Sequence, residues 1–385
     1  MKFISASIYS MALPFKRKFQ HSLSARAFSD SFVLSLTTDT GITGYGEGVA
    51  RPYVTGETPE ESVKYIESTL LPFISSLDIP HYPSRADCLG ALRQLSEALP
   101  VIGRDRIIAW NAAKCAVELA VVDCLLREHN LSLANLLPPQ RAELKYSVVI
   151  GAFDERATRQ AAEFCRDSGI SQIKIKVGVG DDLARVRLVR EIVGSHVSIR
   201  IDANGAFDFE SALSVIDALA DFGIAAIEQP LPRGDVLALA ALTARSAIPV
   251  IVDESLIALE DANELIALRA TSIFNLRLSK NGGIFSTLAL AAKADSAGLG
   301  IQLGCQVGET AILSAAGRHV AACLPRLDFL EGSYGELLLE ADLSLEPVAF
   351  SHGGRAKLLT GKGLGIEVCP KRLERYAREV RRIGF

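Results

Sequence analysis

Five charged side chains at nearly constant intervals are the residues of this sequence best suited to chemistry. They are Lys176, Asp202, Glu228, Asp253 and Arg277, separated by 26, 26, 25 and 24 residues. Each lies at the C-terminal end of a short apolar run. A strand with its following helix needs about this length, and the active sites of eight-stranded β/α barrels form where the C-terminal strand ends meet. The spacing therefore predicts that these side chains converge on one rim.

Another lysine, Lys174, stands two residues before Lys176, within the apolar run 172–177. Because side chains alternate across a strand, Lys174 and Lys176 share one face and the apolar residues share the other. If the apolar face meets the helices, both lysines point into the barrel, where repulsion lowers the pKa of one ammonium group. Such a lysine can act as a base near neutral pH. For this run alone, an exposed edge strand with solvated lysines is the alternative.

Three acids end consecutive apolar runs and predict a metal site. Asp202, Glu228 and Asp253 would lie close together on the rim, and converging carboxylates cannot all stay ionised without a counter-charge. Hard oxygen ligands with room for water and substrate oxygens suit Mg²⁺ better than zinc. Taken singly, each acid could instead be a helix cap or a surface charge.

The elements that would position these residues form eight repeated units. Short apolar segments alternate with helical stretches after residue 145, and they cover 146–150, 172–177, 198–203, 225–228, 249–253, 273–278, 300–303 and 327–330. Eight βα units close a barrel, whereas the competing open doubly wound sheet would not carry so regular a series of charges at its strand ends. The sequence therefore predicts a parallel barrel.

The flanking segments have a different pattern. Alternation in 32–36, followed by a turn signal at 39–41, is typical of antiparallel sheet. The pattern from about residue 59 to residue 128 is helical and includes a buried apolar helix over 112–126. We therefore predict an α/β fold of the (β/α)8 TIM-barrel type. Its predicted parts are an α+β capping domain over 1–125, the barrel over 126–350, and a segment over 351–385 that returns to the capping domain and contains a basic helix over 371–382.

Composition excludes several classes of protein. Apolar residues make up 49% and charged residues 22%, as in an ordinary globular protein, and the net charge of -4 gives no reason to expect nucleic acid or a membrane as partner. Seven cysteines without a C-x-x-C pair argue against a disulfide framework or a zinc site. Residues 1–12 lack the apolar core of a signal peptide, so a cytoplasmic location is expected.

The order of motifs K-x-K, D-A-N, E-Q-P, D-E-S and N-x-R-x-x-K-x-G-G resembles the muconate-lactonizing and dipeptide-epimerase subgroup of the enolase superfamily over nearly the whole chain. The resemblance implies that Asp202, Glu228 and Asp253 bind Mg²⁺, with Mn²⁺ as a substitute. It further implies that Lys176 is a general base, that Lys174 tunes it, and that the substrate is a small carboxylate. The resemblance also implies that the barrel is of the modified, enolase-like type and that the protein is a homo-oligomer.

Two positions depart from that family pattern. Relatives of the epimerase and cycloisomerase type carry a second basic lysine on the sixth strand, where this chain has Arg277. Arginine stays protonated and is a poor base, although it donates well to an anion. Lys280, predicted to lie where the strand enters a loop, is a possible substitute. Dipeptide epimerases also place an Asp-x-Asp pair at the eighth strand, where this chain offers only Glu331.

Four further residues are candidates for substrate contacts. The resemblance implies that Glu309, after the seventh strand, faces the substrate carboxylate, although it could equally cap the following helix. Asn204 follows the metal ligand in D-A-N. Arg26 belongs to a basic stretch of the capping domain and Tyr53 to a second loop, and in relatives these two loops close over the site. A basic loop suits an acidic substrate, but a solvated surface run is the alternative.

These residues favour a one-base enzyme. Lys176 takes the proton α to a carboxylate, the metal stabilises the enolate, Arg277 stabilises charge from the other side, and elimination or cycloisomerisation follows. The alternative is a racemase or epimerase of an amino-acid derivative or dipeptide with Lys280 as second base. A more remote alternative is a non-catalytic binding protein that kept the fold, against which the complete acid set and K-x-K argue.

Overall fold

An antiparallel sheet forms the N-terminal part of the chain. The computed structural model describes all residues except 22, 23, 81, 83 and 103–108, and of residues 17–21 and 24–26 only the backbone. The strands are β1 (Phe3–Met11), β2 (Pro14–His21), β3 (Ser24–Phe28), β4 (Phe32–Thr38) and β5 (Thr43–Gly48). β1, β4 and β5 pair in one sheet, and β2 pairs with β3 in a separate hairpin. The turn between β4 and β5 contains Gly41 at φ 85°, a conformation that glycine adopts without strain.

Helices follow this sheet, as the sequence predicts. They are α1 (Pro59–Tyr65), a π-helical turn (Ile66–Leu70), α2 (Leu71–Ser75), α3 (Arg85–Ala98), α4 (Asn111–Glu128) and α5 (Leu133–Leu136). Thr58 and Glu61 form a capping box at the start of α1. α4 is buried along most of its length and packs directly on β5. That close approach requires glycine at Gly46, because a Cβ there would collide with the backbone of Ala116.

The predicted barrel is confirmed. Strand β6 (Glu143–Lys145) precedes it and pairs with β15 (Arg355–Lys357), which follows it. The barrel strands and helices are β7 (Val148–Ile150), α6 (Glu155–Asp167), β8 (Gln172–Lys176), α7 (Asp182–Val193), β9 (Ser198–Asp202), α8 (Phe209–Ala218), β10 (Ile224–Glu228), α9 (Val236–Arg245), β11 (Val250–Val252), α10 (Leu259–Ala267), β12 (Ile273–Leu276), α11 (Leu278–Asn281), α12 (Ile284–Ser296), β13 (Gly300–Leu303), α13 (Ala311–Cys323), β14 (Phe329–Leu330) and α14 (Gly335–Leu338). A 3-10 turn, Ala220–Phe222, follows α8.

The eight barrel strands are parallel neighbours in the order of the sequence, from β7 to β14. Ser147 N donates to Leu330 O at 2.8 Å, which connects the first strand to the last. The register places Lys176 beside Asp202 and Asp202 beside Glu228. Three of the predicted charged positions therefore stand at one level, as the constant spacing predicts.

The C-terminal segment corrects one prediction. A 3-10 turn (His352–Gly354), β15 (Arg355–Lys357) and α15 (Pro370–Tyr376) lead into β16 (Ala377–Gly384), so the predicted helix over 371–382 is wrong beyond residue 376. β16 pairs with β1 along its length, and this partner outweighs the local helical preference. The segment lies against the N-terminal sheet, while the proposed domain boundaries stay predictions. None of the helices in the described part of the chain has both the length and the apolar character to cross a membrane.

Candidate active site

Lys174 lies between the acids of neighbouring barrel strands. Its Nζ is 2.8 Å from Glu228 Oε1 and 2.9 Å from Asp202 Oδ2. All three side chains are almost completely buried, because they point into the barrel while the isoleucines of β8 and β9 pack outward. The predicted inward orientation of the lysine and the two acids is therefore found in the structure.

Lys176 stands one level above Lys174, at the strand exit. Its Nζ is 2.5 Å from Asp202 Oδ2 and 2.8 Å from Asn204 Oδ1. Asn204 adopts a left-handed φ of 46° and donates from Nδ2 to Glu254 Oε1 at 3.0 Å. The structure thus places Asn204 as a partner of the lysine, and its predicted substrate contact stays a prediction.

The electrostatics of the lysine pair differ from the expectation. Burial alone would lower the pKa of Lys174, but the carboxylates of Asp202, Glu228 and Glu331 outweigh it, so that this pKa is raised. For Asp202, burial alone would raise the pKa, but the positive charges of Lys174 and Lys176 hold it well below its usual range. Attraction to buried acids, rather than repulsion between two ammonium groups, therefore dominates at Lys174.

Arg277 reaches the same centre from the sixth strand. Its Nη2 forms an ion pair with Asp253 and lies 3.5 Å from Glu228 Oε1, while Nη1 donates to Gln306 Oε1 at 3.2 Å. Burial opposes the charge, but Asp253, Glu228 and further acids raise the pKa of Arg277 above its ordinary value. The guanidinium is therefore a fixed cation.

Contrary to the sequence prediction, Lys280 does not lie where a strand enters a loop. It lies on the short helix α11 and is 1% exposed. Its Nζ donates to Asp253 Oδ1 at 2.9 Å, to Asp253 O at 2.8 Å and to Asn275 O at 2.7 Å. Burial lowers the pKa of Lys280, against the charge of Asp253. The three bonds use all three N–H donors, so this ammonium group supports Asp253.

Glu331 is paired with two buried cations. Its carboxylate contacts Lys174 Nζ at 3.1 Å and Arg200 Nη2 at 2.5 Å. Burial would raise the pKa of Glu331, but Lys174, Arg200 and Arg277 lower it to about 2. The acid at the position of the Asp-x-Asp pair therefore neutralises barrel cations.

Glu309 lines a small pocket together with Glu331, whereas Tyr53 is exposed in a loop. Glu309 accepts a hydrogen bond from Gln306 N at 2.5 Å, and burial raises its pKa to about 8. The N-cap of α13 is Thr310, so Glu309 is not that cap. Tyr53 is 36% exposed in its loop. The side chain of Arg26 lies outside the described residues.

Four buried residues that contact this centre were not predicted as site residues. Arg200 faces inward two residues before Asp202, and Asn275 Nδ2 and Gln302 Nε2 donate to Glu228 at 3.0 and 2.8 Å. Burial raises the pKa of Glu254 to about 7, helped by Asp253 and Asp202. The alternation that located the acids could have found Arg200 and Gln302, which occupy inward positions on predicted strands.

The acids contact cations in this arrangement. Among the described residues, no three His, Cys, Asp or Glu side chains lie close enough together to hold a metal ion as they stand. Lys174 lies between Asp202 and Glu228, and Arg277 lies between Glu228 and Asp253. The donor set consists of carboxylate oxygens, the type that Mg²⁺ prefers.

A cavity of about 880 Å³ opens onto the charged centre. Lys174, Lys176 and Arg277 line one side of it, and Lys16 of β2 lies at its edge with its Nζ bonded to Glu336 O. Pockets of this size hold small organic ligands. The candidate base and the guanidinium therefore face the same space.

Two family models match the chain. One, described as mandelate racemase / muconate lactonizing enzyme, N-terminal domain, matches residues 4–138. The other, described as enolase C-terminal domain-like, matches residues 156–372, which is more than half of the chain.

Individual proteins agree with these models. A chloromuconate cycloisomerase of Cupriavidus necator is 30% identical over 386 residues, which cover 98% of this chain and 100% of that protein. The solved structure of an N-succinyl Arg/Lys racemase from Bacillus cereus has a TM-score of 0.89 at 27% identity, with 100% of both chains covered. A dipeptide epimerase from Enterococcus faecalis, solved with Mg and L-Leu-L-Tyr, has a TM-score of 0.84 at 27% identity and covers 95% of this chain and 100% of its own. The chain therefore belongs to the mandelate racemase and muconate lactonizing enzyme family of the enolase superfamily and is one of its enzymes.

Proposed function

We propose that this enzyme removes the proton α to a carboxylate with Lys176 as its single base and then completes an elimination or a cycloisomerisation. One observation carries the proposal: Lys176 and Arg277 line the cavity, whereas the ammonium group of Lys280 is bonded to Asp253 and Asn275. A base on one face and a permanent cation on the other support proton removal from one side only.

Mg²⁺, with Mn²⁺ as a possible substitute, fits the donor chemistry of this centre. Asp202, Glu228 and Asp253 would hold it, and Glu254 Oε2 is buried without a hydrogen-bond partner among the described residues. A bound divalent cation would stabilise negative charge that develops on the substrate carboxylate. The solved dipeptide epimerase of Enterococcus faecalis contains Mg, which supports this choice.

The charge of the centre is consistent with a dianionic intermediate. The acids Asp202, Glu228, Asp253, Glu254 and Glu331 lie among five cationic side chains, which are Lys174, Lys176, Arg200, Arg277 and Lys280. With all of them ionised the protein groups cancel, so a divalent cation adds two positive charges. A carboxylate that has lost its α-proton carries two negative charges, and the sum is again neutral.

The protein's own residues divide the remaining work. Asp202 and Asn204 fix the position of the Lys176 Nζ, which must be neutral when it accepts the α-proton. Lys174 stays charged and holds the carboxylates of Asp202, Glu228 and Glu331 in place one level below Lys176. Arg277, held by Asp253 and Gln306, presents its guanidinium to charge or to a leaving group on the opposite face. The proton on Lys176 can then return to the product or to the departing group.

A racemase or epimerase is the second candidate, because several of the relatives carry such names. This reaction needs a titratable group on each face of the α-carbon. Lys280 would have to leave its three acceptors to provide one. The two candidates therefore predict different stereochemistry of proton exchange.

The test is proton exchange in deuterated water with Mg²⁺ and a panel of N-acyl amino acids, dipeptides, acid sugars and muconates. We expect Mg²⁺-dependent exchange at one stereochemical position or net product formation, measured by NMR. Similar exchange rates for both enantiomers of one substrate would establish the two-base alternative. If no acid in the panel exchanged its α-proton or reacted, and Mg²⁺ did not bind, the non-catalytic alternative would replace the proposal.

A further inference from the structure

The cavity extends beyond the charged centre along helix α6. Its lining there includes Phe153 before the helix, Ala157, Gln160, Ala161 and Phe164 on the helix, and Leu337 and Leu338 of α14. All of these side chains except Gln160 are apolar. Because a small acid such as acetate would fill only a fraction of 880 Å³, this apolar arm is available for another part of the substrate.

The spacing of these residues shows that a separate face of α6 forms the arm. Positions 157, 161 and 164 recur at helical intervals, whereas Thr158, Ala162 and Cys165 form the buried face against the barrel. Ala157 and Ala161 are small and leave space, and Phe164 is 45% exposed. A large aromatic side chain exposed at the edge of a cavity is a binding surface for an apolar group.

The charged residues of the cavity lining disfavour a substrate that carries an ammonium group. Lys16, Lys174, Lys176 and Arg277 are positive, and Glu331 is the single acid in the described lining. Glu331 already contacts Lys174 and Arg200, and these cations hold its pKa near 2. A substrate ammonium group would therefore meet like charges with no free carboxylate to pair with.

We propose that the substrate of this site is a carboxylate with an extended, uncharged apolar group that lies in the arm between α6 and α14. A hydrophobic N-acyl or alkyl substituent has this chemistry, whereas a free amino group on that substituent does not. The inference rests on the proposed function, because it takes the carboxylate to bind beside Lys174 and Lys176. It adds the part of the molecule that the enzyme would use to choose among acids.

The first experiment measures the binding of butanoate, hexanoate, octanoate and 8-aminooctanoate to the Mg²⁺-loaded protein by calorimetry. We expect affinity to rise with chain length, by up to about fourfold for each buried methylene. The 8-aminooctanoate should lose most of that gain, because its terminal ammonium would leave water for a largely apolar arm whose described lining offers it no carboxylate. Binding of butanoate without any gain from longer chains would overturn this inference and leave the proposed function standing. Failure of every acid to bind in the presence of Mg²⁺ would overturn both.

The second experiment locates the apolar group. Ala161→Trp fills the arm and should abolish the gain in affinity from butanoate to octanoate. Arg159→Trp adds similar bulk on the opposite, solvent side of α6 and should behave as the native protein. Ala157→Leu is a smaller obstruction, and a partial loss of the gain there would agree with Ala161→Trp if the tryptophan disturbs folding. An unchanged chain-length gain in both cavity variants would show that the tail lies elsewhere.

Discussion

Glu47 of strand β5 accepts hydrogen bonds from both the backbone nitrogen and the hydroxyl of Thr310, at 3.0 and 2.8 Å. Leu313 N adds a third at 3.2 Å, so a carboxylate of the N-terminal sheet completes the first turn of barrel helix α13. Glu118 of α4 does the same for α12 through Ile284 N. The two parts of the chain are therefore joined at the starts of the helices that follow β12 and β13.

The buried Glu47 predicts a pH-dependent stability. Burial raises its pKa from 4.5 to about 7 against the donors that surround it. The folded state thus binds this proton more tightly than the unfolded chain, and that contribution is lost as the pH rises from about 4.5 through 7. Relative to Glu47→Gln, which stays neutral, the native protein should lose up to about 3 kcal/mol over this range. Urea unfolding at pH 5, 6, 7 and 8 measures the difference, with exposed Glu155→Gln as control. Parallel curves for native protein and Glu47→Gln would contradict the prediction.

Replacement of the candidate base should separate chemistry from metal binding. Lys176→Ala is expected to slow α-proton exchange at least about 100-fold, since general-base catalysis typically contributes that much or more. Mg²⁺ affinity should stay nearly unchanged, because Lys174 still pairs with Asp202. NMR of deuterium incorporation and calorimetry with Mg²⁺ measure the two effects, and exposed Lys362→Ala is the control. Exchange at the native rate in Lys176→Ala would exclude Lys176 as the base.

The guanidinium on the opposite face predicts one-sided chemistry. Arg277→Lys keeps the charge but loses the planar fork that contacts Asp253 and Gln306. We expect the native reaction to fall by roughly 10- to 100-fold, as for the loss of a charge-assisted hydrogen bond of about 1.5–3 kcal/mol. The new amine could also add a trace of racemase activity. Chiral chromatography of the product formed in deuterated water measures both outcomes. Racemisation by the native protein would contradict the one-base mechanism.

Lys280 is expected to act on stability and metal binding. Lys280→Met would leave Asp253 with Arg277 as its remaining cationic partner and remove two bonds to backbone carbonyls. We expect a loss of about 3 kcal/mol in unfolding free energy, typical of a broken buried pair, together with tighter Mg²⁺ binding in the folded protein, because a cation that competes for Asp253 is removed. The stereochemistry of residual exchange should not change. If the variant instead lost exchange with one enantiomer only, at native stability, Lys280 would be a second base.

The rim of the barrel could be predicted because its signal is local. The alternation in Gln172–Lys176 and Ser198–Asp202 fixes which side chains face inward, and the constant spacing identifies the repeated unit. Local sequence was misleading at Ala377–Gly384. Arginine and glutamate favour a helix there, but β1 supplies a strand partner.

Contacts between distant segments could not be predicted from local patterns. Lys280 looked like a solvated loop residue, and its burial follows from Asp253, 27 residues earlier in the chain. Glu47 and Thr310 are 263 residues apart, so no periodicity connects them. The apolar arm also depends on α6 and α14 lining the same cavity, which strand spacing alone does not determine.

The pairing of β16 with β1 imposes an order on biogenesis. Ser5 lies opposite Gly384, so the N-terminal sheet cannot gain its fourth strand until the ribosome has delivered the residues that follow the whole barrel. During translation one edge of β1 is left open, and such an edge can pair with other chains. Late closure by β16 ends that exposure, and the arginines that line this last strand oppose further edge-to-edge growth.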